Sequence, residues 1–367
     1  VIFLLFSTGA LFSQRETNKW FFGNGAGLDF STSPPTILAT SSMSTTEGCS
    51  VISDGSGNLL FYSDGETIWD QTHNIMANGT GLMGGYGSTT QAVLIVKQPG
   101  NSNIYYVFTQ DEFSNIPTRG FRYSIVDMNL AAGMGSVTVK NVLLHAPGPE
   151  KLAAVYHCNQ TDVWVVSHEI YSNVFRAYLL NAQGVAAPVL SNAGVNYNPI
   201  YIGTGQLKFS PTGRKLGCAN HLLGFEVYDF DPATGIISNP ITLMDVSELQ
   251  QVNGSSAYSC EFSPDGSKFY GGVIWPHVFQ WDLSAGNPFQ IQSSRHTITF
   301  PRDPNQSNEI GAMQLAPDGK IYITGNTLGV IENPDAVGGQ LVYNPNPLGL
   351  RANVADGYLP NNVAGLT

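Results

Sequence analysis

Charge is scarce in this chain. Only 12% of its 367 residues are Asp, Glu, Lys or Arg, and 27 acidic residues outnumber 16 basic ones. Nucleic-acid binding needs a basic stripe, and none is present. The acidic excess is spread along the sequence, which suits solubility rather than an acidic tail. Cysteine is sparse as well. Cys49, Cys158, Cys218 and Cys260 show no CxxC spacing, so a zinc site has no support, and they read as small buried hydrophobes. No GxSxG elbow occurs. His157 and Ser167 flank one hairpin without an acid placed to orient the histidine, so nucleophilic catalysis has no signature. No cofactor is expected. If a metal were held, calcium would suit an exported chain best, yet no Asp-rich loop repeats.

Long apolar runs are missing with one exception. VIFLLFSTGALFSQ (1–14) is apolar and ends in small or polar residues. A spanning helix needs roughly 20 apolar residues, so this run is too short to cross a membrane. It reads as the apolar region and cleavage site of a secretory signal peptide. It lacks an initiator Met and a basic start, so the sequence reads as a fragment at this end. No Cys follows it, which argues against a lipoprotein anchor. A buried first strand is the alternative. No second membrane segment follows residue 14.

What is abundant is glycine and aromatics. The chain has 40 Gly, 21 Pro and 11% aromatic residues, the composition of a turn-rich all-β protein. The last third repeats itself every 53 residues. LKFSPTGRKL (207–216) recurs as CEFSPDGSKF (260–269) and as MQLAPDGKIY (313–322). Phe209, Phe262 and Leu315 stand in register, as do Pro211, Pro264 and Pro317. A fixed period of about 40 to 55 residues with strand-like content marks a β-propeller. In each copy an apolar strand meets a Pro/Asp/Gly turn, where Pro presets φ and Gly accepts φ above zero.

The same template finds weaker copies upstream: SVISDGSGNLLFYSDG (50–65), VLIVKQPGNSNIYYVF (93–108) and LAAVYHCNQTDVWVVSHE (152–169). A third strand follows each unit, as in ETIWDQ (66–71), GFRYSIVDM (120–128) and VFQWDL (278–283), and a looser fourth follows most. Four strands make one blade. Six units leave a remainder at each end. KWFFGNGAGLDF (19–30) lacks an inner partner, and GYLPNNV (357–363) is a lone inner-strand candidate. The fold expected is therefore a seven-bladed β-propeller closed by N- and C-terminal strands, with 357–363 pairing beside 19–23, since closure removes exposed edges. Six blades plus a loose N-terminal extension is the alternative. Residues 1–14 are assigned as the signal-peptide remnant and 15–367 as one propeller domain.

The blocks WFFGNGAGLDFS, TTEGCSVISDGSGNLLFYSDGETIWD, NSNIYYVF, VWVVSHE and QLAPDGKIY resemble a family of large secreted surface proteins of the Bacteroidota. The likeness runs from about residue 20 to about residue 360. It implies a propeller near the N-terminus of a longer chain, followed by PKD or Ig-like modules and a gliding-motility-type domain read by the type IX secretion system. It implies a secreted or outer-surface location, and supplies place rather than chemistry.

In a propeller, the loops leading into inner strands share one face with those joining second to third strands. The register gathers Thr46, Thr90, Glu150, Gly203, Ser256 and Glu309 there, with Glu47, Gln91 and Lys151 one step on. The second set of loops adds Asp64, His168, His221 and Thr327, with Glu169, Tyr171, Trp275 and His277 close by. The candidate ligand-binding residues are Glu47, Gln91, Glu150, Lys151, His168, Glu169, His221, Trp275, His277 and Glu309. Polar pockets with aromatic walls suit sugars, peptides or cations. A solvated channel with no dedicated ligand is the plain alternative. Glu47, Glu150 and Glu309 belong to different units and are expected around the ring rather than side by side. The function expected is binding or adhesion to a surface glycan, protein or polymer, without catalysis. The alternatives are a propeller enzyme, lactonase-like or acting on polysaccharide through His168, His221, His277, Glu150 and Glu309, and a rigid spacer.

Overall fold

The computed structural model describes residues 15–85, 88–112, 119–198, 203–252, 256–274, 277–299, 310–325, 327–350 and 359–365. Strands β1 (Lys19–Phe22), β2 (Ala26–Asp29) and β3 (Thr36–Leu38) form a three-stranded antiparallel sheet. Two four-stranded units follow. The first holds β4 (Ser50–Ser53), β5 (Leu59–Ser63), β6 (Thr67–Asp70) and β7 (Ile75–Thr80). The second holds β8 (Val93–Lys97), β9 (Ile104–Thr109), β10 (Phe121–Asp127) and β11 (Ser136–His145). A parallel bridge, Ser136 to Ala77, joins their outer strands.

The next unit is β12 (Ala153–Tyr156), β13 (Val163–His168) and β14 (Val174–Asn181), with β15 (Gly184–Val185) and β16 (Val189–Asn192) both on β14. Then come β17 (Leu207–Phe209), β18 (Lys215–Asn220), β19 (Gly224–Phe230) and β20 (Ile237–Met244). They are followed by β21 (Ala257–Phe262), β22 (Lys268–Val273), β23 (His277–Asp282) and β24 (His296–Thr299). The last unit is β25 (Ile310–Leu315), β26 (Ile321–Gly325), β27 (Gly329–Ile331) and β28 (Tyr343–Asn344). A final short strand is β29 (Val363–Ala364).

The sequence repeat becomes a geometric one. Gly213, Gly266 and Gly319 have φ of 67°, 72° and 75°, and each N–H closes its turn onto the carbonyl of Ser210, Ser263 or Ala316. The weak copies turn the same way at Gly100 (φ 74°) and, without glycine, at Gln160 (φ 59°). The aligned pairs Tyr228-Asp229 and Trp281-Asp282 also share a role. Asp229 takes the Lys215 ammonium at 2.6 Å, and Asp282 takes Lys268 at 3.0 Å, each across one strand pair.

Apolar burial lies between the sheets rather than within one central core. One cluster joins the units of β4 and β8, the next those of β8 and β12, then β12 and β17, β17 and β21, β21 and β25. The sixth returns to the start. There the N-terminal sheet sets Trp20 against Tyr322 of β26, ring centres 5.7 Å apart, and Phe21 against Tyr62 of β5 at 5.1 Å. Four-stranded antiparallel sheets packed face to face around an axis are a β-propeller.

One expectation is overturned. The expectation is that 357–363 pairs beside 19–23. Residues 357 and 358 lie outside the described residues, and β1 pairs with β2. The C-terminal strand is instead Val363–Ala364, and it pairs in parallel with Ala154 and Val155 of β12. The cause is local. Asn361 donates its N–H to Cys49 O (2.8 Å) and its side-chain amide to Leu152 O (2.9 Å), which draws the segment off β1 and onto the axis. A second correction concerns cysteine. No disulfide joins the four, and Cys49, Cys218 and Cys260 are buried as expected, but Cys158 sits exposed beside the turn of the β12–β13 hairpin.

Candidate functional site

The loops leading into the inner strands do meet on one face, the upper face. The loop before β4 carries Glu47. It crosses closely to the loop before β8: Gly48 donates to Thr89 O at 3.0 Å, and a Cβ there would lie 2.2 Å from Ala92 N. The next residue along, Thr90, donates from N–H (3.0 Å) and Oγ1 (2.8 Å) to Glu150 Oε2. Thr90 Oγ1 in turn accepts from Gly205 N–H at 3.2 Å, and Tyr258 OH donates to Glu47 Oε1 at 3.2 Å.

Glu47 and Glu150 belong to different units, and their carboxyl groups act on each other electrostatically across these loops. Burial, then the carboxylates of Glu150 and Glu112, push the Glu47 carboxyl up to about 8, so it keeps its proton at neutral pH. The close crossing at Gly48 is what brings the two acids within electrostatic reach. Glu47 Oε2 is buried without a hydrogen-bond partner.

Lys151 is 0% exposed. Its ammonium donates to Thr204 O (2.9 Å), Gly205 O (2.8 Å) and Ala219 O (2.6 Å), and lies 5.6 Å from the centre of the Tyr197 ring. Those bonds use all three of its donors. Burial lowers its pKa, opposed by the nearby thiols of Cys218 and Cys260 and by Glu150. Gln91 is a strut: Oε1 accepts from Leu207 N–H (2.8 Å) and Leu152 N–H (3.2 Å), and Nε2 donates to Leu207 O (3.0 Å).

His168 is a core group. Its ring stacks on Tyr197 at 3.8 Å, Nδ1 lies 2.6 Å from Glu169 O, and Nε2 is buried without a partner. Burial pushes its pKa down to about 3. His145, bonded to Tyr178 OH at 3.0 Å, is lowered to about 4, again chiefly by burial. Glu169 is held by Arg176 Nε (2.6 Å) and Ser172 Oγ (3.2 Å). His221 and His277 are half-buried, on separate units. Trp275 and Glu309 lie outside the described residues. The structure thus gathers Glu47, Gln91, Glu150 and Lys151, and leaves His168 inside a stack and Glu169 in an ion pair.

Tyr171 stands out on this face. It is 55% exposed and adopts φ of 63°, the left-handed region, while its N–H is tied to Tyr197 O at 2.9 Å. A non-glycine residue held there costs of order 1–3 kcal/mol, and such residues cluster at functional sites. Leu222, also partly exposed, lies in the corresponding loop of the next unit.

Sequence reasoning passed over a polar set on the axis. Lys208, Glu261 and Gln314 occupy one register position in three successive copies. Lys208 Nζ reaches Gln314 Oε1 at 2.5 Å and Glu261 Oε2 at 3.6 Å. The signal was a polar residue recurring in the middle of an otherwise apolar inner strand. Among the described residues no three His, Cys, Asp or Glu side chains converge as metal ligands. Two cavities, of about 470 and 380 Å³, open on the opposite, turn-bearing face around Lys97, and no upper-face candidate lines them.

No family model and no curated protein matches the chain. Among solved structures it is similar to a protein from Lactobacillus plantarum, with TM-score 0.52 and 15% identity over 91% of this chain and 94% of that one. It is also similar to the β-propeller domain of Cps50 (Swd1) from Myceliophteria thermophila, with TM-score 0.49 and 13% identity over 84% and 94%. A putative 6-phosphogluconolactonase from Bacteroides uniformis gives TM-score 0.47 and 15% identity over 82% and 84%. At 15% identity the likeness to the Lactobacillus plantarum protein speaks to the fold alone.

Proposed function

We propose that the chain is an exported, non-catalytic recognition module whose upper face binds a glycan or similar surface polymer. The observation that carries this reading is Tyr171, an aromatic ring presented to solvent by a strained backbone beside a stack of buried rings. An exposed, rigidly held aromatic face is what sugar rings stack on. The ionisable groups around it support the same reading. Lys151 has all its donors engaged, Glu169 is ion-paired, and His168 is enclosed, so none is placed to touch a substrate. The signal-like start of the sequence supports export.

In the same reading the three-stranded N-terminal sheet is the seventh blade. Its support is the aromatic cluster that packs this sheet against both β5 and β26. A glycan array and a pull-down from cell envelopes test the function. Saturable capture of an envelope polysaccharide is the expected result. Absence of any capture, together with turnover of a small substrate, would overturn it.

One observation favours a second reading. Glu47, which keeps its proton to about pH 8 and feels the charge of Glu150, is a half-buried proton donor of the kind general acid–base chemistry uses. Under that reading Glu47→Gln abolishes a hydrolytic activity; under the first it leaves ligand capture intact.

A further inference from the structure

The walls of the central channel differ around the ring. Where β17, β21 and β25 carry Lys208, Glu261 and Gln314, the same position counted back from the turn-closing N–H in β4, β8 and β12 carries Ile52, Val96 and Val155. The segment 359–365 lies on the apolar side. Val363 is buried in the cluster of Leu94, Val96, Leu152 and Val163, and with Ala364 it adds a parallel strand to the channel-side edge of β12.

Asn361 contacts three successive units. Its N–H donates to Cys49 O (2.8 Å), its carbonyl accepts from Ser50 Oγ (2.8 Å), its side-chain amide donates to Leu152 O (2.9 Å), and its Oδ1 faces Gln91 Nε2 at 3.4 Å. Gln91 does not depend on this partner for its position, because Leu152 and Leu207 already fix it. Among the described residues the other edge of β29 pairs with no strand. It meets a cavity of about 20 Å³, room for roughly one water, bounded by Lys208, Glu261 and Gln314.

We propose that the channel-side edge of β12 is a receptor for an extended peptide, that 359–365 is its resident occupant, and that it selects an Asn two residues ahead of a Val-Ala pair. This is strand addition: main-chain bonds to β12 hold the peptide, and side-chain sites give selectivity. Val363 fills the apolar site, and Gln91 with Leu152 O forms the amide-reading site. The site is prepared in advance by the bonds of Gln91, which lowers the cost of ordering on binding. The ladder is only two residues long and one edge wide, so the occupant is held by few main-chain bonds and can exchange. This site lies on the axis, apart from the upper-face rim around Tyr171, so either can fail without the other.

The test uses the whole chain carrying a protease site inserted between Leu350 and Leu359, folded intact and then cut. The probe is a fluorescein-labelled synthetic peptide of residues 359–367. The expected result is that the nicked protein keeps its near-UV circular dichroism, releases the resident fragment, and takes up the probe saturably. A probe with Asn361→Ala should bind about tenfold more weakly, the loss of its two side-chain hydrogen bonds. Unfolding on nicking would overturn the proposal, because a receptor outlives its occupant. So would a fragment that never exchanges, or equal binding by the Asn361→Ala probe.

Discussion

Gln91 and Asn361 face each other on the propeller axis, with Gln91 Nε2 3.4 Å from Asn361 Oδ1, and both touch Leu152. Through them the loop before β8, the start of β12 and the C-terminal segment are tied together. The ring is therefore braced from its centre. Asn361→Ala removes two side-chain bonds and leaves Leu152 O short of a donor, a loss of about 1–3 kcal/mol. Chemical denaturation should show the midpoint falling with an unchanged slope, as for a local loss of stability.

Lys151 is a structural cation rather than a ligand-binding one. Lys151→Met keeps most of the volume but leaves the carbonyls of Thr204, Gly205 and Ala219 without this donor. The expected cost is on the order of 3 kcal/mol, since buried acceptors that lose their partner are expensive. Denaturant titration reads it. A change under about 0.5 kcal/mol, the range of an ordinary surface substitution, would contradict this assignment.

Buried ionisable groups tie the stability of the chain to pH. Glu47 titrates at about 8 in the folded chain against an ordinary 4.5. Its contribution is complete below pH 4.5 and is lost as pH rises to about 8. His145 and His168 titrate at about 4 and about 3 against 6.5. Their contribution is complete above pH 6.5 and is lost as pH falls through those values. Between pH 4.5 and 6.5 the histidines and Glu47 pull in opposite directions, and above pH 6.5 only the loss from the acid remains. Glu226 and Glu261 are shifted upward by burial as well, in the same sense as Glu47. Melting temperature measured from pH 5 to 8 should therefore decline above about pH 6.5, and Glu47→Gln should shallow that decline without abolishing it. An identical decline in the variant would show that Glu47 titrates normally.

The interface between the units of β17 and β21 depends on a missing side chain. A Cβ on Gly217 would lie 2.2 Å from Phe269 Cε2 and 3.0 Å from Phe262 Cε2. Gly217→Ala should destabilise by about 1–3 kcal/mol through overpacking. Gly133→Ala meets no neighbouring atom but sits at φ of 89°, so its cost comes from backbone strain alone and separates the two effects.

Much of this architecture was legible in the sequence because the turn chemistry repeats. The Pro-Thr-Gly turn at Gly213 and the Pro-Asp-Gly turns at Gly266 and Gly319 fix hairpins whose strands then follow from apolar alternation. The register also brought Glu47, Gln91, Glu150 and Lys151 to one face. It could not say that Gly48 lets two loops cross closely. Nor could it place the C-terminal segment. A short strand of mixed polarity has no periodicity of its own, and the hydrogen bonds of Asn361 decide where it docks. Lys208, Glu261 and Gln314 were visible as a recurring polar position, but their convergence depends on the closed ring.

The most direct test of the recognition reading compares the wild-type chain with Tyr171→Ala for capture of cell-envelope polysaccharide by biolayer interferometry. The account predicts saturable binding by the wild type and binding about tenfold weaker in the variant, with the melting temperature preserved, since an aromatic contact contributes about 0.5–1.5 kcal/mol and Tyr171 is largely outside the core. Equal binding by the two proteins would contradict it.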